Sequence, residues 1–361
     1  MTEQNFIPKA YSNTIESGKV TWESPSNIAL IKYWGKKKDQ IPENPSISFT
    51  LNNCKTITSL TFSKKETTTN FEFEVYLDGE KKNDFKPKIE TFFSRVEVYL
   101  PFLRSYKFKI ETKNTFPHSS GIASSASGMS ALALCLMSLK RQLNPDMPDA
   151  YFNKKASFLA RLGSGSACRS IEGDLIVWGR TDEIEGSTDL FGVKYPYKIH
   201  ENFKQYQDTI LLVDKGEKQV SSTVGHNLMH NHPYAKNRFQ QAHDNFKVLK
   251  PILESGNLEA FIQLIESEAL TLHAMMMASM PYFILMKPNT LEIMNKIWKF
   301  RQETGLHISF TLDAGANVHV LYPKNEASVI LKFIKNELVA YCQNGHYICD
   351  QIGFGAKQLT M

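Results

Sequence analysis

The sequence predicts an α+β fold in two lobes. Three observations carry this. Segments of the first third alternate apolar and polar side chains, most cleanly FEFEVYL at 71–77, as half-buried strands do. Long stretches with apolar residues at helical spacing, 234–250, 257–279 and 289–303, dominate the second half. Strands and helices are intermixed without strict βαβ alternation.

In chain order, IALIKYW at 28–34 reads as a β segment rich in Ile, Leu and aromatic residues. SISFTL (46–51) and KTITSLTFS (55–63) read as two half-buried strands, and a polar loop fills 78–86. Between Pro87 and Leu100, residues Ile89, Phe92, Phe93, Val96 and Tyr99 recur at helical spacing, and SYKFKIE (105–111) alternates again. Helices are expected at 126–142 and 151–162, followed by GSGSACRS and a strand at 173–178. A charged loop covers 180–194, and DTILLVD (208–214) opens the second lobe. The junction is therefore expected near 185–205, with lobes of 1–195 and 196–361. After the three long helices, 307–312 and 317–322 read as a hairpin around Asp313-Ala314-Gly315-Ala316. A helix at 324–338 and a strand near 346–350 close the chain.

At 361 residues, one large or two packed domains is the expectation. Apolar (42%) and charged (22%) contents exclude a disordered, collagenous or coiled-coil chain. The formal charge of +5 is a mild excess, far from the basic stripe of a nucleic-acid binder, and the tryptophans form no stacking platform with basic residues. The five cysteines include no CxxC pair, which speaks against a disulfide framework or a structural zinc site. The N-terminus lacks a basic and then apolar leader, and the longest apolar run, Gly128 to Leu139, is short of the roughly 18 residues of a membrane span. A soluble protein of a reducing compartment is expected.

Four segments could carry chemistry. In Pro117 to Gly128, seven of twelve residues are Gly or Ser and a helix follows at once. Small residues let backbone N–H groups approach an anion, and the helix N-terminus favours a phosphate; a plain helix cap is the equal alternative. No GxxxxGK[ST] P-loop occurs. Gly163 to Ser170 has the same character plus Arg169, a planar fork suited to carboxylate or phosphate. Lys32 to Lys38 sets lysines beside aromatics, and Asp313 sits in a small-residue turn; alone, each reads more simply as a solvated turn. His226, His230 and His232 carry no HExxH glutamate and read as surface or turn histidines rather than a metal site. Met275, Met276, Met277 and Met280 read as core packing on an apolar helix, and Cys168 as a small packed residue.

Together, NIALIKYWGK (27–36), the Pro117–Gly128 loop, GSGSACRS (163–170), KQVSST (218–223) and LDAG (312–315) resemble the diphosphomevalonate decarboxylase branch of the GHMP small-molecule kinases. The matches keep the family's order from about residue 20 to the C-terminus, and KYWGK with GSGSACRS is the specific part. The resemblance implies a two-lobed GHMP kinase fold, with a ribosomal protein S5 domain 2-like N-terminal lobe and a ferredoxin-like C-terminal lobe. It implies ATP and Mg²⁺, a cytoplasmic homodimer, and 3-phosphorylation of mevalonate 5-diphosphate followed by decarboxylation to isopentenyl diphosphate.

By the same resemblance Asp313 is the base, Arg169 holds the substrate carboxylate and hydroxyl, and Lys32 lies at the reacting centre. Tyr33, Lys36, Ser164, Ser166 and Ser222 contact substrate. Ser119, Ser120, Gly121, Ser124, Ser125 and Ser127 belong to the nucleotide phosphate loop. No protein metal ligand is assigned. Three positions depart from the family: Thr223 where an arginine is usual, His226 where Met is usual, and Pro45 where a small polar residue is usual. The alternatives are a decarboxylase of mevalonate 5-phosphate, a kinase that phosphorylates and stops, and a nucleotide-binding module without turnover.

Overall fold

Two long strands, β1 (Ser17–Ile31) and β2 (Ser46–Lys64), form the spine of the first sheet. The structure is a computed structural model and describes residues 1–66, 70–117, 122–216 and 222–360, with backbone alone at 222 and 223. The strand read at 28–34 begins earlier, at Ser17, and ends at Ile31, so Lys32, Tyr33 and Trp34 leave the sheet. The segments read as two strands at 46–51 and 55–63 are one. The polar break between them is bridged by the buried Asp350 carboxylate, which accepts the N–H groups of Asn52, Asn53 and Cys54 at 2.8–2.9 Å. A sequence pattern cannot register a strand held together by a residue 296 positions away.

The first sheet continues through β3 (Glu72–Leu77), β4 (Glu80–Lys81), β5 (Tyr106–Asn114), β6 (Leu175–Trp178) and β7 (Val193–Lys194). The second holds β8 (Gln207–Leu211), β9 (Ser309–Thr311), β10 (Val318–Tyr322) and β11 (Tyr347–Gln351) in the order β11-β8-β10-β9. A last strand, β12 (Lys357–Leu359), returns to pair with β1. Too short for a pattern, it had no signal in the sequence.

Helices cover the sheets: α1 (Lys86–Val96), α2 (Ser124–Leu143) and α3 (Asp149–Gly163) on the first, α4 (Glu201–Lys204) and α5 (Ser222–Asn227) after the junction, then α6 (Ala235–Ser255), α7 (Leu258–Met277), α8 (Pro288–Thr304) and α9 (Ala327–Phe333). Helix α2 is buried on nearly every side, against β1, β2 and α3, so it reads as apolar all round. Each of its buried leucines contributes about 1.5–3 kcal/mol of transfer free energy. That burial fixes where its N-terminus points. The two lobes share a core: Ile28 and Leu30 of β1 belong to the same buried cluster as Phe246 of α6 and Phe261 of α7. Among the described residues, no helix is long and apolar enough to cross a membrane.

Met275 and Met276 are buried as expected, but Met277 is half exposed and Met280 is 82% exposed, because α7 ends at Met277. Cys168 is buried and packs as a small residue; burial pushes its thiol up to about 12.

Candidate active site

A cavity of about 620 Å³ opens where β1, the start of α2, the Gly165–Ser170 3₁₀ turn, α5 and the β9–β10 turn meet. Its chemistry starts with Lys32, the first residue past β1. The Lys32 N–H donates to Glu268 Oε2 at 2.8 Å, and its carbonyl accepts from Asn44 Nδ2 at 2.9 Å and Arg238 Nη2 at 3.2 Å. Glu268 and Arg238 form a fully buried two-pronged ion pair joining α7 to α6, and Asn245 Nδ2 adds a 2.5 Å bond to Glu268. This scaffold fixes the Lys32 backbone, and the buried side chain places Nζ 3.1 Å from Asp313 Oδ1. Burial pulls the Lys32 amine below its ordinary pKa, against the opposing pull of Asp313.

Asp313 sits in the turn between β9 and β10 with its carboxylate facing the cavity. Its carbonyl accepts from Gly315 N at 2.7 Å and His273 Nε2 at 3.1 Å. Burial takes the His273 pKa down to about 4, so the ring is neutral and Nε2 carries the proton that the carbonyl receives. The turn that carries the carboxylate is thereby tied to α7.

Arg169 is buried on the 3₁₀ turn. Its Nε donates to Asn27 Oδ1 at 3.3 Å, its Nη1 to Ser46 Oγ, and its guanidinium stands 5.9 Å from the Trp178 ring centre. Both bonding partners are neutral, while arginine stays charged even when burial opposes it. A buried cation with neutral bonding partners that lines a cavity has donor capacity that an anion could take up.

Tyr33, Lys36, Ser164 and Ser166 line the same cavity. The Tyr33 hydroxyl is buried with no partner among the described residues, and burial raises its pKa. It packs over Gly165, where a Cβ would come within 2.9 Å of the hydroxyl oxygen; the close approach requires glycine.

Ser124 and Ser125 at the start of α2 also line the cavity, after Ala123 in a left-handed conformation. Lys88 of α1 donates to Ser125 Oγ at 2.7 Å. Burial first, and then the Lys36 charge, lower the Lys88 amine below its ordinary pKa. Ser127 departs from the expected phosphate loop. It is fully buried, bonds Thr56 Oγ1 at 2.6 Å and faces β2, because it lies on the side of α2 that packs on the sheet. Ser119, Ser120 and Gly121, and the Ser222 side chain, lie outside the described residues.

Sequence reasoning missed Lys88, His273 and the Glu268–Arg238 pair. Lys88 and Glu268 occupy ordinary helical positions and carry no local signal. The expectation of surface histidines fails at His226 and His232. Both are buried, His232 bonding the Met275 carbonyl at 3.0 Å, because the segment 222–234 folds back under α7. His230 is exposed. Among the described residues, no group of three or more His, Cys, Asp or Glu could hold a metal ion.

Two family models match the chain: the diphosphomevalonate decarboxylase-like N-terminal domain over residues 24–189 and the mevalonate 5-diphosphate decarboxylase C-terminal domain over 209–353. Diphosphomevalonate decarboxylase of Saccharomyces cerevisiae is 29% identical over 340 residues, covering 89% of this chain and 81% of that protein. The Ganoderma lucidum enzyme is 28% identical over 357 residues, 94% of this chain and 86% of that one. The crystal structure of mevalonate diphosphate decarboxylase from Staphylococcus aureus superposes with a TM-score of 0.80 at 28% identity, over 96% of this chain and 99% of that one. MDDEF in complex with MVAPP, AMPPCP and magnesium gives a TM-score of 0.80 at 27% identity, over 96% and 100%.

Proposed function

Since the chain belongs to the diphosphomevalonate decarboxylase family, we propose that its cavity carries out the ATP-dependent decarboxylation of mevalonate 5-diphosphate to isopentenyl diphosphate, ADP, phosphate and CO₂. The observation that carries this reading is the convergence of Asp313, Lys32 and Arg169 on one cavity that ends at the α2 N-terminus.

A tertiary alcohol is a weak nucleophile, and Asp313 is positioned to take its proton as the oxygen attacks the γ-phosphorus of ATP. Lys32 orients the Asp313 carboxylate through their 3.1 Å contact, and its charge offsets the negative charge of the transferring group. Arg169 receives the substrate carboxylate, which sets the C3 hydroxyl against Asp313. The 3-phosphate then leaves with the C–O electron pair; the C–COO⁻ bond electrons form the new double bond, and CO₂ departs. No further electron acceptor is needed.

The residues present fit a nucleotide: Ser124, Ser125 and Lys88 offer donors at a helix N-terminus, and Val75, Ile110 and Leu132 offer an apolar wall. Magnesium, when bound, neutralises charge between phosphate groups. Among the described residues no cluster could hold the ion itself, so it would be held by the nucleotide's phosphate oxygens and water, with the Ser124 and Ser125 hydroxyls able to hold one such water. We also propose that 1–195 supplies the phosphate loop and 196–361 the catalytic aspartate. A cytoplasmic homodimer is proposed on family resemblance alone.

The test is parallel release of ADP and CO₂ with ATP, Mg²⁺ and either mevalonate 5-diphosphate or mevalonate 5-phosphate. Equal ADP and CO₂ from the diphosphate is expected, and Asp313→Asn should lower turnover about 10²–10⁴-fold. ADP without CO₂ would make the protein a kinase. Turnover of the monophosphate alone would move the specificity, and wild-type turnover by Asp313→Asn would sink the assigned base.

A further inference from the structure

His226 is the one histidine of its cluster that lines the cavity. It sits on α5, which comes close enough for Gly225 to lie against Trp34; a Cβ there would meet the indole at 2.6 Å. The residue is 8% exposed. It lies against the ring of Tyr33, with centroids 4.3 Å apart, and against Trp34 at 4.6 Å. Its Nδ1 accepts the Gly35 N–H at 3.0 Å. That bond assigns the tautomer: a ring nitrogen that accepts leaves the proton on the other, so Nε2 is N–H.

Among the described residues, Nε2 has no protein partner. The groups facing the ring are Lys36 and Arg169, both cations, and the Tyr33 phenol. Burial first, and then these two cations, bring the His226 pKa down to about 3, so the ring is a neutral donor at working pH. An N–H on a residue that lines the cavity is open to a ligand that accepts it. A cation-flanked donor next to a second unpartnered donor, the Tyr33 hydroxyl, calls for an anionic oxygen.

We propose that His226 is a specificity-determining residue that binds the phosphorylated end of the substrate, its Nε2–H donating to a non-bridging phosphate oxygen beside Tyr33 and Lys36. The inference rests on the reading of the cavity as a site for a 5-phosphorylated substrate. It gives a role to a position that stands out in the sequence as a histidine where the family's usual residue is Met. It also predicts a readout that simple packing would not produce. His226→Gln keeps an N–H near the position of Nε2, whereas His226→Asn keeps an acceptor near Nδ1 for the Gly35 N–H and loses the distal donor.

The experiment is calorimetric binding of mevalonate 5-diphosphate without ATP, and of AMPPCP with Mg²⁺ separately, to the wild type and both variants. His226→Asn should weaken mevalonate 5-diphosphate about 10- to 100-fold, the range of a hydrogen bond to a charged group. His226→Gln should stay within about threefold, and AMPPCP affinity should be unchanged in both. Equal weakening in both variants, stronger loss in Gln than in Asn, or no loss in Asn overturns the proposal. A wild type that binds no mevalonate 5-diphosphate sinks the reading of the cavity and this inference with it; unaltered binding by all three proteins sinks the inference alone. An independent readout uses the wild type: the His226 Nε2–H resonance should shift when mevalonate 5-diphosphate is added, and a resonance that does not move contradicts the contact.

Discussion

Glu268→Gln should cripple the enzyme without touching the cavity. The Glu268 carboxylate accepts four hydrogen bonds: two from Arg238 at 3.0 and 2.5 Å, one from Asn245 at 2.5 Å and one from the Lys32 N–H at 2.8 Å. An amide removes the charge and turns one acceptor into a donor that faces donors. Arg238, fully buried, is left without a counter-ion, and its Nε already lacks a partner among the described residues. Breaking a buried pair in this way costs about 3–5 kcal/mol. The same change removes one of three bonds that hold the Lys32 backbone, so Nζ shifts relative to Asp313. A misplacement of that kind costs on the order of 10- to 100-fold in turnover. The assay pairs urea unfolding with single-turnover ADP release. The double variant Arg238→Met/Glu268→Leu separates the two effects: it removes both charges, so stability recovers, while the Lys32 bonds stay lost and turnover stays low. Glu268→Gln within about 1 kcal/mol of the parent, or a double variant with parental turnover, would refute the reasoning.

Two further outcomes follow from the same contacts. Lys88→Met should raise the ATP KM about tenfold while leaving the affinity for mevalonate 5-diphosphate unchanged, because Lys88 stands at Ser125 on the phosphate side; steady-state kinetics with each substrate varied would check it, and an effect confined to the mevalonate substrate would contradict the placement. Lys155 is buried, donates to the carbonyls of Phe6 and Tyr99, and its pKa falls to about 6 through burial and then the Lys140 charge. Between pH 6 and the ordinary lysine range the unfolded chain holds a proton that the folded chain does not, so stability rises with pH across that window, by up to ~1.4 kcal/mol per pH unit. Below pH 6 both states hold the proton and the slope vanishes. Urea midpoints should therefore climb from pH 6.5 to 9 more steeply in the wild type than in Lys155→Met, and equal slopes would contradict an amine that is neutral in the fold.

Much of the fold is legible in the sequence because its signals are local. The alternation at 71–77 becomes β3, the helical spacing after Pro87 becomes α1, and the two strands around Asp313 pair as β9 and β10. The strand break at 52–54 and the missing β12 are failures of another kind. A carboxylate from β11 completes the first, and pairing with β1 alone defines the second. At the site, the small-residue turns and the residue types of Lys32, Arg169 and Asp313 can be read from the sequence, since each stands in a distinctive local setting.

What the sequence by itself determined is the α+β class, the order of elements and the segments rich in chemistry, all consequences of period, turn residues and composition within a few positions. Only the tertiary structure decided which of those side chains meet. Lys32 reaches Asp313 across 281 positions of chain, Glu268 holds Lys32 from 236 positions away, and Lys88 enters the site from a helix that looks ordinary in sequence. Ser127 is lost to the core and His226 gained for the cavity for the same reason. Burial and the partner of a polar atom are properties of the closed chain, and they set whether a serine packs, a histidine is neutral or a lysine faces a phosphate.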